Sequence, residues 1–252
     1  MSDKKLLICI PTYNERENVP LLVEEIFKVL PAGAQVLFID DNSPDGTGAL
    51  IEDLAKANPK IHGLHRKGKL GLASAYVAGF EWGLREGYEW VMEMDADFSH
   101  DPEHLRDFMR LIGEGKATAI VGSRYIEGGG VSNWSPSRVL LSRMGSIYAR
   151  TWLRHSVSDF TGGFNAWHRD LLAKMNLGDI QSKGYAFQIE LKYRALEIGG
   201  RLVETPIVFR ERRFGASKMS GDIVREAVIG VIKLRLRREQ DQLFDPSAGN
   251  GS

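Results

Sequence analysis

Short runs of Ile, Val and Leu alternate along the first half of this chain with amphipathic stretches of helical length, and that alternation restricts the fold more than any other feature. Apolar runs at Leu6–Ile10, Gln35–Ile39, Ile61–His65, Trp90–Met94 and Ala119–Ser123 predict strands. Stretches near Asn18–Leu30, Thr47–Ala57, Leu72–Glu86 and Pro102–Gly113 predict helices between them. Such a rhythm builds an α/β fold, a mostly parallel sheet with helices on both faces. The runs are nearly continuous in apolar residues, as strands covered on both sides require. After Arg124 the rhythm falters. The glycine-rich stretch Glu127 to Gly130 leads through Pro136 into a basic and apolar helix, about Ser137–Arg154. A strand at Phe164–Trp167, a helix near Tyr185–Glu197 and apolar segments around Leu202–Phe209 follow. An amphipathic helix over about Asp222–Glu239 comes last, and residues 241–252 read as a disordered tail.

The chain has 252 residues, 43% of them hydrophobic and 26% charged, which suits one globular domain with a core that needs no disulfide or structural metal. Its single cysteine, Cys9, sits inside an apolar run and reads as a small buried hydrophobe in a reducing compartment. Met1 to Lys5 shows no signal-peptide pattern, and no stretch of 18 or more apolar residues is present to span a bilayer. A net charge of zero argues against bulk attraction to nucleic acid.

Open parallel sheets bind ligands beyond the carboxyl ends of their strands. The polar groups that end these strands are Pro11-Thr-Tyr-Asn-Glu15, Asp40-Asp41-Asn-Ser43, Arg66-Lys-Gly-Lys69, Asp95-Ala96-Asp97 and Arg124, and all five are expected on one edge. Asp95 and Asp97 are the centre of the reading. Two carboxylates alternating at a strand end reach one hard divalent cation, Mg²⁺ or Mn²⁺, which also takes oxygens from a diphosphate. Asp40 or Asp41 offers acceptors for a base or ribose hydroxyl, while Asp45 suits the start of the next helix. Tyr13 offers a ring to stack on a base, and Glu15 an acceptor.

The combination of PTYNE (11–15), DDNSPDGT (40–47), RKGKLGLASAY (66–76), MDADFSHDP (94–102), GSRY (122–125), GYAFQIEL (184–191) and FRERRFGASKMS (209–220) resembles family 2 of the inverting GT-A glycosyltransferases. Within it the chain is similar to the group of polyprenol (dolichol) phosphate mannose synthases, over roughly residues 5 to 221. The late motifs are the specific ones. The resemblance implies a GT-A, Rossmann-like single domain over residues 1–240, with a nucleotide-sugar half (1–125) and an acceptor, membrane-facing half (126–240). It implies nucleotide-sugar contacts from Pro11, Tyr13, Glu15, Asp40, Asp41, Asp95, Ala96, Asp97, Arg212 and Lys218. It also implies metal ligation by Asp95 and Asp97, and acceptor-phosphate contacts from Arg124, Arg138 and Ser142. Catalytic roles fall to Asp95, Asp97, Arg124 and Lys218. The reaction so implied takes mannose from GDP-mannose to polyprenyl or dolichyl phosphate.

A phosphate monoester is already anionic at neutral pH, so the attacking group needs no protein base. Positioning and charge neutralisation are then the whole task; Asp159 and Glu190 are the candidates if a base exists. Two departures stand out. Some relatives have a Gln ligand where Ser99 stands here, followed by His100, and Asn165 occupies a place where many relatives show Arg. Helices around 138–154 and 223–238 combine basic and apolar faces, which suits peripheral binding on the cytoplasmic face of a membrane, or docking on a small membrane-protein partner. The rival readings are a glucosyl or N-acetylhexosaminyl transferase using a UDP-sugar, and a catalytically idle membrane-binding subunit. A nicotinamide oxidoreductase is excluded, because GxGxxG does not follow the first strand.

Overall fold

The protein is described by a computed structural model covering residues 5–30, 33–180, 182, 184–211 and 228–236. The first half follows the expected rhythm. Strands β1 (Leu6–Thr12), β2 (Ala34–Asp40), β3 (Ile61–His65) and β4 (Trp90–Glu93) alternate with helices α1 (Asn18–Val29), α2 (Thr47–Ala57) and α3 (Leu72–Glu86). A 3-10 turn at Pro102–His104 then leads into α4 (Leu105–Glu114) and β5 (Ala119–Ser123). The second half contains β6 (Gly130–Val131), α5 (Pro136–Leu153), β7 (Asn165–His168), α6 (Arg169–Lys174), α7 (Gly184–Glu197), β8 (Leu202–Pro206) and β9 (Val208–Phe209). Residues 228–236 form a further helix, α8.

Seven strands make one sheet in the order β3-β2-β1-β4-β7-β5-β8, and β6 pairs with β9 in a small second sheet. Every pairing in the large sheet is parallel except those of β7, which runs antiparallel to both β4 and β5. Phe164–Trp167 was expected as a strand, but its reversed direction between two parallel neighbours is not written in an apolar run.

The pleat sorts β1 between two cores. Leu6, Ile8 and Ile10 face a cluster with Val19, Leu22 and Ile26 of α1, Ile51 of α2 and Leu105, Phe108 and Ile112 of α4. Leu7 and Cys9 face the opposite cluster, with Tyr76 and Phe80 of α3, Leu171 of α6 and Phe187 of α7. Helices therefore cover both faces, as the fold class requires. Cys9 is fully buried, and that burial pushes its thiol pKa well up, as an inert packing residue should show. A third cluster joins Ala149 and Leu153 of α5, Ile189 and Tyr193 of α7 and Val231 of α8.

Helix α3 rides unusually close to the sheet at Gly79, where a Cβ would stand 2.8 Å from both Cys9 Sγ and Ile39 Cδ1. Gly79→Ala should destabilise the fold by about 1–3 kcal/mol through overpacking. Chemical denaturation checks this; an unchanged midpoint would mean that α3 can lift away at no cost.

Candidate active site

Parallel strands end on a common edge, and the register fixes it: Thr12 lies beside Asp40 and Asp40 beside His65. All five polar clusters follow strands that end on this edge. Tight turns carry them, with Asn14, Asn42 and Phe98 at positive φ. A left-handed phenylalanine directly after Asp97 is costly, of order 1–3 kcal/mol, and such outliers gather where a site imposes them.

Around the ends of β1 and β2 most carboxylates already have partners. Asp40 is 2% exposed and holds its turn by accepting from the Ser43 hydroxyl at 2.5 Å and the Ser43 amide at 3.1 Å. Asp41 pairs with both arms of Arg66, at 2.5 and 2.8 Å, and accepts the Leu70 amide at 3.2 Å. Asp45 takes the start of α2, accepting from the amide and hydroxyl of Thr47 at 3.0 and 2.6 Å. Glu15 accepts from Asn18 Nδ2 at 2.6 Å, and Lys69 Nζ lies 3.8 Å from the centre of the Tyr13 ring. Pro11 is the next-to-last residue of β1 and is partly buried.

The turn after β4 is held from three sides. Tyr76, buried on α3, donates its hydroxyl to Asp95 Oδ1 at 3.0 Å. His100 Nδ1 accepts the Asp95 amide at 3.0 Å, and Asp97 Oδ1 accepts the Ser99 amide at 3.0 Å. The His100 ring stacks on Phe164 at 4.5 Å and meets Phe209 edge-on at 5.3 Å. Burial pushes its pKa down to about 3, so the ring is neutral at physiological pH. Ala96 is buried between the two aspartates.

This turn fits a divalent cation of the diphosphate-bridging kind. Among the described residues no cluster of three or more His, Cys, Asp or Glu side chains forms a closed metal cage. Two carboxylates that leave the remaining positions to phosphate and water are the pattern magnesium favours. Ser99 Oγ is buried and, among the described residues, has no hydrogen-bond partner. His100 has spent Nδ1 on the turn, which leaves Ser99 as the better candidate for a third protein oxygen.

Arg124 departs from expectation. It is 5% exposed, and Nε and Nη2 each reach Asp159 at 2.7 Å, with Nη2 also 2.8 Å from Thr161 Oγ1. The fork expected to grip an acceptor phosphate is turned inward onto a carboxylate. Asp159 likewise fails as a base. Burial alone would raise its pKa, but Arg124 overrides that and holds it at about 2. Glu190 is buried against Arg194 at 2.6 Å and accepts the Ser182 amide, so it too is structural.

Arg138 and Ser142, the other two residues of the expected acceptor set, lie on α5. Ser135 caps α5 by accepting the Arg138 amide at 3.4 Å, and the Tyr125 hydroxyl donates to Ser142 Oγ at 2.7 Å. The Arg138 guanidinium lies 3.9 Å from the centre of the Trp134 ring, with Arg124 5.6 Å from the same ring. Phe209 meets Trp134 edge-on at 5.2 Å. An aromatic relay, Phe164–His100–Phe209–Trp134, thus connects the aspartate turn to Arg138. Sequence reading missed Tyr125, Trp134 and Phe209, although Tyr125 and Phe209 lie inside quoted motifs. Arg212 and Lys218 lie outside the described residues. The segment leading toward them is fastened to the aspartate turn: the Arg210 amide donates to the Ser99 carbonyl at 3.1 Å, and its guanidinium pairs with Asp101 at 2.8 Å.

Beneath the site lies a buried polar network that was also not foreseen. Glu93 is fully buried and accepts from Trp167 Nε1 at 2.7 Å, from Asn165 Nδ2 at 3.3 Å and from Gln188 Nε2. Lys192, equally buried, donates to the Gly162 carbonyl at 2.6 Å. Burial raises Glu93 to about 7 and lowers Lys192 to about 8. Asn165, the departure from the family pattern, belongs to this network.

Comparison with known proteins agrees with this geometry. The pattern of glycosyl transferase family 2 matches residues 7–175. Polyprenol monophosphomannose synthase of Mycolicibacterium smegmatis is 47% identical over 240 residues, 95% of this chain and 90% of that protein. Undecaprenyl-phosphate mannosyltransferase of Micrococcus luteus is 44% identical, over 91% of this chain and 93% of that protein. Among solved structures, glucosyl-3-phosphoglycerate synthase from Mycobacterium tuberculosis, in complex with Mn²⁺, UDP and glucosyl-3-phosphoglycerate, superposes with a TM-score of 0.66. That match has 16% identity and covers 92% of this chain and 80% of that one, so it supports the fold alone.

Proposed function

We propose, from the premise that this chain belongs to glycosyl transferase family 2, that it moves a mannosyl unit from GDP-mannose to a polyprenyl phosphate, releasing GDP and giving a β-linked product. The observation that carries the reading is the turn holding Asp95 and Asp97 at the sheet edge, joined through the aromatic relay to the Trp134–Arg138 cluster. The names of the two relatives, a polyprenol monophosphomannose synthase and an undecaprenyl-phosphate mannosyltransferase, support mannose and a polyprenyl phosphate as the reacting pair.

Residues 1–125 hold the nucleotide sugar and residues 126–240 face the acceptor. Pro11, Tyr13, Glu15 and the Asp40–Asp41 turn frame the nucleotide, with Arg212 and Lys218 as further contacts to its phosphates. Asp95 and Asp97, with Ser99 beside them, would hold Mg²⁺ or Mn²⁺; that ion supplies charge neutralisation for the departing diphosphate. Arg138 and Ser142 orient the acceptor phosphate, while Arg124, its charge balanced by Asp159, fixes the loop behind them. The acceptor arrives as an anion, and Asp159, held at about 2, is too weakly basic to take a proton from it. Inversion follows from direct in-line attack. Helices α5 and α8 lay the protein peripherally on the cytoplasmic face of a membrane, where the lipid acceptor resides. Among the described residues no helix is long and apolar enough to cross one.

Nucleotide sugars offered singly with a polyprenyl phosphate test the reading: GDP-mannose should carry label into the organic phase, and transfer from a UDP-sugar instead would transfer the assignment to the glucosyl or hexosaminyl alternative. Tyr76→Phe removes the hydroxyl that fixes Asp95 and should weaken Mn²⁺ binding in the presence of GDP by about tenfold. Metal titration reads this directly, and unaltered affinity would show that Tyr76 does not position Asp95.

A further inference from the structure

Tyr125 follows the end of β5 and reaches across to α5, where its hydroxyl donates to Ser142 Oγ at 2.7 Å. We infer that Tyr125 is a positioning residue for the acceptor: by occupying the Ser142 oxygen, it leaves the Ser142 proton for a phosphate oxygen of the lipid acceptor. The inference rests on the reading that Arg138 and Ser142 meet that phosphate.

A serine hydroxyl has one proton to give and two lone pairs to accept with. Inside a helix the usual outlet for that proton is the carbonyl one turn back. Other hydroxyls of this protein take that outlet. Thr151, also on α5, donates to the Ile147 carbonyl at 2.8 Å, and Ser74 on α3 donates to the Leu70 carbonyl at 2.9 Å. Ser142 does not. Among the described residues its side chain has one hydrogen bond, the one it accepts from Tyr125, and the residue is partly exposed, within reach of a ligand.

The phenol is the more acidic of the two hydroxyls and so the natural donor. Burial pushes its pKa further up, so it keeps its proton. The ring is held as well. Arg124 Cζ stands 5.2 Å from its centre, and Arg124 is itself locked by two bonds of 2.7 Å to Asp159. The inward-turned arginine thereby supports the acceptor site through its neighbour rather than by contact.

Ser142 stands one turn along α5 from Arg138, on the same face. The Arg138 guanidinium makes no ion pair among the described residues, and its buried Nε has no hydrogen-bond partner there. Two unspent donors, one cationic and one neutral, therefore lie side by side. A phosphate monoester has oxygens for both.

Titration of the full chain with farnesyl phosphate, without any sugar donor, tests the arrangement. Tyr125→Phe keeps the ring and its packing and removes the hydroxyl alone. It should weaken affinity by about fivefold, and Ser142→Ala by about tenfold. The double variant should match Ser142→Ala, because Tyr125 acts through Ser142. In steady-state transfer these losses should appear in the KM for the prenyl phosphate rather than in kcat. Wild-type affinity in Tyr125→Phe would overturn the positioning role. So would a Tyr125→Phe loss of equal size with and without Ser142, which would show that the phenol braces the loop instead. Coupled losses together with transfer from a UDP-sugar would keep Tyr125 in its role and remove GDP-mannose as the donor. Turnover of GDP-mannose with uncoupled losses would do the reverse.

Discussion

Asp97→Asn should slow mannosyl transfer by about a thousandfold while the fold stays intact. The substitution is isosteric and keeps an oxygen for the Ser99 amide now accepted by Asp97 Oδ1 at 3.0 Å, so the turn survives. What disappears is one of the two negative charges proposed to hold a divalent cation. Removing a single preorganised electrostatic group at a reacting centre costs on the order of 100- to 1,000-fold in kcat. A ligand that also anchors the ion belongs at the upper end, about 4 kcal/mol of barrier. Steady-state rates at saturating GDP-mannose, together with an unchanged melting temperature, make the check. A rate within tenfold of wild type would mean that Asp97 does not touch the reacting diphosphate.

The second large effect concerns stability. Asp159→Ala should destabilise the protein by about 3–5 kcal/mol, because it strands the Arg124 guanidinium in a buried site. Asp159 is itself fully buried and also accepts the amides of Arg124, Thr161 and Gly162 at 3.1, 3.2 and 2.9 Å. Replacing both partners with apolar residues should cost far less than removing one. The pH dependence has a definite sign. The Asp159 pKa falls from 3.8 to about 2 on folding, so its stabilisation, roughly 2 kcal/mol by proton linkage, is complete above pH 3.8 and is lost as pH falls toward 2. Denaturant unfolding of the single and double variants reads the pair. A loss below about 1 kcal/mol for Asp159→Ala would show that the buried bridge contributes little.

What the chain's sequence discloses depends on range. Helices α2 and α3 and strands β3 and β5 begin and end where periodicity and glycine placement put them, because those signals are local. The edge on which the site forms was legible for the same reason: parallel strands send their polar ends one way. Which carboxylates are already occupied was not legible. Asp41 meets Arg66 across 25 positions and Asp159 meets Arg124 across 35, and no window joins them. Helix α7 makes the same point. Phe187-Gln-Ile-Glu-Leu-Lys-Tyr193 alternates apolar and polar residues, yet all seven are buried. Gln188, Glu190 and Lys192 tolerate burial because each is hydrogen-bonded, to partners that include Glu93, Arg194 and the Gly162 carbonyl. The relay through Trp134 and Phe209 likewise depends on the β6–β9 pairing, two residues on each side, which is too short to leave a pattern.

Mn²⁺ binding with GDP present, measured for the wild type and for the Asp95→Ala/Asp97→Ala variant, is the most direct test. The wild type should take up one ion per chain and lose transfer when the ion is chelated, and the variant should take up none. Equal Mn²⁺ uptake by both proteins, or sugar transfer that persists in excess chelator, would contradict a diphosphate held by these two aspartates.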